Sequence, residues 1–180
     1  MIQEGQAVVR YLHEFQVWHW GIVVRVDEYN LDKIYVMEFT DSDRISLVTL
    51  RAFCWYRKYF WVHNFNNELA LYGPGVFRSL PDRLAEANSC FKKNQLSYRI
   101  DKYNCEYFVR RCVFKDSRLW ESQQTLIIGK SSHLFFAKLA TVVLGSMVTK
   151  FGQFLEIEKE YRNQDIRYEV CPNSSDIIQS

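Results

Sequence analysis

Charge of one sign is what this sequence most plainly lacks. Its 23 basic and 21 acidic residues leave a formal net charge of +2, too weak a field to gather nucleic acid. Metal-type cysteine spacing is also missing. The five cysteines, Cys54, Cys90, Cys105, Cys112 and Cys171, form no CxxC or CxxH pair, which argues for reduced thiols over a zinc or disulfide framework. Any special cysteine is then special by reactivity. No apolar core of signal-peptide length precedes the charges of MIQEGQAVVRYLHEF, so the expected compartment is the cytoplasm. Long apolar runs are absent as well: within Leu134 to Leu155 the charge-free stretch is confined to residues 139–149, against the ~20 residues that a bilayer span needs. There is no internal repeat and no low-complexity segment.

What is present is an ordinary globular composition, 48% hydrophobic and 24% charged, in a 180-residue chain. That excludes the disordered and collagen-like classes and fits one core plus extensions. Short runs of β-branched and aromatic residues at Ala7 to Tyr11, Trp18 to Val26, Lys33 to Thr40, Ser46 to Leu50 and Tyr59 to His63 predict an antiparallel sheet. After the breaker YGPG at Tyr72 to Gly75 the period changes toward 3.6. SLPDRLAEANSCF then supplies a helix start, with Ser79 as cap, Pro81 in the first turn and Asp82 closing a capping box; Leu84, Ala87 and Phe91 form the expected apolar face. LSYRI, Leu96 to Ile100, reads as a short alternating strand. Leu134 to Leu155 reads as an amphipathic helix with Phe135, Leu139, Val142, Val143 and Met147 on one face. The end, CPNSSDIIQS, reads as frayed.

The stretch KYNCEYFVRRC carries the chemistry. If Asn104 caps a helix beginning at Cys105, the thiol lies where unpaired N–H groups and the positive end of the dipole favour an anion. Such addresses are where cysteines become nucleophilic near neutral pH. Cys105, Phe108, Val109, Cys112 and Val113 share the face that packs on a core, which aims the thiol at the sheet and leaves Arg110 and Arg111 outside. Cys112 is then a packing residue. Of the four histidines, His13, His19, His63 and His133, His19 is best placed, because Gly21 leaves room for another element to approach. Folding the next hairpin about Glu28 and Tyr29 pairs Val26 with Leu31 and His19 with Glu38. Glu38 would then accept the Nδ1 proton, fix the tautomer and stabilise the imidazolium.

HWGIVV at His19 to Val24 and NCEYFV at Asn104 to Val109 resemble the H-box and NCEHF motifs of the lecithin:retinol acyltransferase-like family. EGQAVVRYL at Glu4 to Leu12 looks like that family's opening strand, and the chain from Ser79 to Phe108 looks like its helix, Tyr-containing strand and cysteine; the resemblance runs from Glu4 to Phe114. It implies an α+β fold similar to circularly permuted papain-like thiol hydrolases, with an antiparallel sheet packed on helices. It also implies Cys105 as nucleophile, His19 as base and Glu38 at the position of the family's second histidine. Tyr107 replaces the motif histidine after CE. The implied activity is a thiol acyltransferase or phospholipase A that moves a phospholipid acyl chain, through an acyl-cysteine, to an amine, a hydroxyl or water. No cofactor and no metal are implied. The implied organisation is a catalytic domain over 1–130, a hydrophobic and amphipathic helical segment over 131–163 that associates a cytoplasmic protein with a membrane surface, and a tail over 164–180.

Two further readings use the same residues. One is an inactive interaction module, motivated by the change of the second histidine to Glu38. The other is a cysteine amidase or peptidase, since thiolate and imidazole do not choose between ester and amide. Nucleic-acid binding through FCWYRKYFWVHNF, Phe53 to Phe65, is a weaker reading, because alternating aromatics more often build a sheet core.

Overall fold

The computed structural model describes residues 2–12, 17–27, 30–42, 44–55, 59–94, 96–99, 102–122, 166–170 and 177–179. The strands are β1 (Ala7–Leu12), β2 (Val17–Arg25), β3 (Tyr35–Thr40), β4 (Arg44–Thr49), β5 (Tyr59–His63), β6 (Ile166–Val170) and β7 (Ile177–Gln179). The helices are α1 (Leu50–Cys54), α2 (Asn66–Tyr72), α3 (Leu80–Lys93) and α4 (Cys105–Val113). Every strand pairs antiparallel with its neighbours, in the order β4-β3-β2-β1-β5-β6-β7. The fold is α+β, as expected.

Both faces of the sheet are covered, which is why β1 is buried at every position from Ala7 to Tyr11, Arg10 included, and not in alternation. On one face Val9, Tyr11, Trp18, Trp20 and Ile22 pack with Ala87 and Cys90 of α3 and with Phe108, Val109, Cys112 and Val113 of α4. On the other, Val8, Val23 and Val36 pack with Leu50, Phe53 and Cys54 of α1. Each large apolar side chain sealed in this way contributes roughly 1.5–3 kcal/mol. Within the aromatic run from Phe53, Phe53, Phe60, Trp61 and Phe65 are buried in these cores, whereas Trp55 is exposed.

Several sequence expectations shift. β3 starts at Tyr35 because Asn30 organises the preceding residues: its Oδ1 accepts from Asp32 N at 2.9 Å and its carbonyl from Lys33 N at 2.9 Å, so Leu31–Lys33 coil into a short 3-10 turn. Phe91 is largely exposed on α3, and Ala87 and Cys90 form its buried face instead. Residues 96–99 do not form the expected strand; Arg99 instead makes an isolated bridge with Tyr103. The tail is not merely frayed, since β6 pairs with β5, β7 pairs with β6, and buried Tyr168 stacks on Phe60 at 5.2 Å. The expected helix from Leu134 to Leu155 and the whole segment 131–163 with its membrane-facing stripe lie outside the described residues, as do His13 and His133. Among the described residues no helix is long and apolar enough to cross a membrane.

Candidate active site

Asn104 caps α4 as its position predicts. Its Oδ1 accepts from Tyr107 N at 3.0 Å, satisfying one of the N–H groups that a helix start leaves open. Its Nδ2 donates to Ser122 Oγ at 3.1 Å, and Ser122 Oγ donates in turn to Glu106 Oε2 at 2.7 Å. The relay fixes which way the amide faces, and therefore that its oxygen, not its nitrogen, points into the helix. Asn104, Glu106 and Ser122 are all buried.

Arg110 departs from expectation. It is buried, not outward: its Nη1 lies 2.6 Å from Glu68 Oε1 and 3.7 Å from Glu106 Oε1, and its Nε donates to the Leu119 carbonyl at 2.8 Å. Glu68 stands on α2, and periodicity within α4 cannot announce a partner 42 residues away. Arg111 is the one near the surface, paired with Glu86 of α3 at 2.9 Å. The stripe from Cys105 to Val113 is buried throughout, as the spacing predicts.

The hairpin register differs from the symmetric fold by two residues. Gly21, not His19, stands opposite Glu38, and the ladder slips between Val23 and Arg25. A slip of two keeps every side chain on its face, whereas a slip of one would have separated the pair. His19 Nε2 therefore still meets Glu38 Oε2, at 2.7 Å. The nitrogen engaged is Nε2, not the Nδ1 expected. Gly21 makes the approach feasible: a Cβ there would run into Val36 Cγ1 and come 3.0 Å from Phe53 Cε2 and 3.2 Å from the Met37 carbonyl.

By alternation His19 and Glu38 belong to the α1 face of the sheet, whereas Cys105 arrives from the α4 face. They meet because the β2–β3 ladder ends at Gly21 and Glu38, while β3 stays paired with β4 as far as Thr40. The start of α4 delivers Cys105 to that open end, its Sγ 3.9 Å from the Trp18 carbonyl oxygen. Cys105, His19 and Glu38 are 6%, 7% and 9% exposed. Burial, the largest influence on His19, pulls its pKa down, but the charge and hydrogen bond of Cys105, followed by the bond to Glu38, outweigh it and push the imidazole from 6.5 up to about 9. Near neutral pH the ring is an imidazolium held between a sulfur and a carboxylate.

Sequence reasoning gave no role to Tyr98. Its ring sits edge-on to Phe39 at 5.1 Å, one residue beyond Glu38 on β3, and the Arg99–Tyr103 bridge folds it back beside Asn104. Burial first, then the charges of Cys105 and Asp41, push its hydroxyl pKa up, so it keeps its proton. The signal was the position of the tyrosine, seven residues before Cys105 and just ahead of a tight turn.

The chain matches no family model, no curated protein and no solved structure. Chemically, the arrangement offers a nucleophilic sulfur at a helix start, a charged acid that becomes a base once it gives up its proton, a carboxylate that holds that acid, and a neutral hydroxyl donor.

Proposed function

We propose that the chain is a thiol acyltransferase or phospholipase of the lecithin:retinol acyltransferase-like kind, with a permuted papain-like arrangement of sheet and cysteine helix. The observation that carries this reading is the buried group Glu38, His19 and Cys105, with the imidazole hydrogen-bonded to Glu38 at 2.7 Å and its pKa pushed up by the charge of Cys105. The Cys105 sulfur attacks the acyl carbonyl, and the tetrahedral oxygen develops its charge near the Tyr98 hydroxyl and the first N–H groups of α4. His19 then gives its proton to the departing lysolipid oxygen, leaving a thioester on Cys105. As a neutral base it next removes a proton from the amine, hydroxyl or water that takes the acyl group. Glu38 keeps the ring oriented through both halves. The segment 134–155, in this reading, lies along a membrane surface and brings the site to its lipid.

The test is to incubate the purified chain with mixed phospholipids and look by mass for an acyl adduct on Cys105. An adduct lost in Cys105→Ser supports the proposal. A second reading, an interaction module without turnover, is favoured by the low exposure of the thiol. A folded chain that forms no adduct with any acyl donor, ester or amide, would decide for it.

A further inference from the structure

We infer that Arg110, paired with Glu68 of α2, is a positioning residue for Cys105: by facing one oxygen of Glu106 it sets the direction of the hydrogen-bond relay that turns the Asn104 oxygen toward the start of α4. The inference rests on Cys105 being the nucleophile, as in the reading above. Glu68, Asn104, Glu106, Arg110 and Ser122 are all buried. Arg110 Nη1 lies 2.6 Å from Glu68 Oε1 and 3.7 Å from Glu106 Oε1. Its Nε donates to the Leu119 carbonyl at 2.8 Å, and its guanidinium carbon lies 5.1 Å from the centre of the Phe114 ring and 5.9 Å from that of Phe65, so the planar fork is held from several sides.

Direction follows from which atoms can donate. Arg110 offers only donors, so it favours an oxygen where Glu106 faces it. With that cation beside it the Glu106 carboxylate only accepts, and Ser122 gives its single hydroxyl proton to the other oxygen, at 2.7 Å. Ser122 Oγ then has lone pairs for Asn104, which must present Nδ2, at 3.1 Å. The Asn104 oxygen is thereby left for Tyr107 N, at 3.0 Å. Reversing any step turns the amide over and sets its NH2 group against the N–H groups of the helix start. Buried ion pairs often stabilise a core no better than apolar residues of the same size, so a part in fixing direction gives this one a use that packing does not.

Glu106→Gln makes the direction visible without changing shape. The guanidinium attracts the new amide oxygen and repels the NH2 group, so Nε2 faces Ser122 and donates to it. Ser122 in turn donates to Asn104 Oδ1, and Nδ2 swings to the helix start in place of the cap. Asn104→Asp repairs the fault, because a carboxylate has no donor side: one oxygen accepts from Ser122 and the other from Tyr107 N.

The experiment follows hydrogen exchange at Tyr107 N and the titration of the His19 ring by NMR in the full chain. Neither uses an acyl donor, so a failed relay and a failed acyl-transfer reading give different results. In Glu106→Gln the protection of Tyr107 N should fall about fivefold or more. The His19 titration, which burial pulls down and Cys105, then Glu38, push up to about 9, should move to lower pH as the sulfur loses its place. Adding Asn104→Asp should return both to native values. Adding instead Arg110→Met with Glu68→Met removes the fork that orients the amide, and should also restore protection at Tyr107 N. Unchanged protection or an unmoved His19 titration in Glu106→Gln, no recovery with Asn104→Asp, or a loss that persists once Arg110 and Glu68 are replaced in a folded chain would overturn the inference.

Discussion

His19 and Glu38 are hydrogen-bonded at 2.7 Å although neither is the other's cross-strand partner. The contact runs diagonally past the last rung of the β2–β3 ladder, where Gly21 faces Glu38, so it depends on the strands lying close at the rung and being open beyond it.

Gly21→Ala tests that dependence. The added methyl meets Val36, Phe53 and the Met37 carbonyl, and two of these belong to β3 itself. The expected cost is about 1–3 kcal/mol of stability, read by denaturant unfolding, with a larger fractional loss of acyl-transfer rate than stability alone explains.

Cys105→Ser is expected to lower lipid-directed turnover by about a thousandfold or more, because a hydroxyl does not ionise as a thiol does at a helix start. Cys112→Ser should retain activity under reducing conditions. Rates measured on folded protein decide this, and equal loss in both would assign the segment to packing.

Glu38→Gln should cost about tenfold in turnover and His19→Ala about a thousandfold, since the amide still orients the ring but no longer stabilises its charge. The pH profile adds a second reading. The His19 pKa lies near 9, so the alkaline limb of the acylation step should fall there and move to lower pH in Glu38→Gln. Assaying short-chain esters from pH 6 to 10 shows whether the limb moves.

The same shift has a consequence for folding. The His19 pKa is raised on folding, from 6.5 to about 9, so its favourable contribution is complete below about pH 6.5 and is lost as pH rises toward 9. Unfolding free energies of the native chain should decline across that window relative to His19→Gln. Parallel curves for the two proteins would show that the imidazole is not linked to folding.

Ser122→Ala removes a buried partner from both Asn104 and Glu106. The expected loss is about 1–3 kcal/mol, accompanied by faster hydrogen exchange at Tyr107 N, the amide that Asn104 caps. Retained protection there would show that the cap does not need the relay.

The sequence by itself determined the strands of the first half, the cap-and-helix units at Ser79 and Asn104, the buried stripe of α4 that begins at Cys105, and the shared face of His19 and Glu38. Each of these is local or periodic: a capping side chain answers an N–H three residues on, alternation sorts faces, and a two-residue slip in register leaves the sorting intact. Tertiary structure alone decided the rest. Arg110 is buried because Glu68 on α2 waits for it, Tyr98 is placed by a turn and by Phe39, and Cys90 joins the core cluster of Cys112 because α3 packs on α4. The nitrogen of His19 that faces Glu38 was likewise set by where one ladder ends. None of these has a signature at short range, because the partner that neutralises a charge or approaches a thiol is brought there by the packing of elements far apart in the chain.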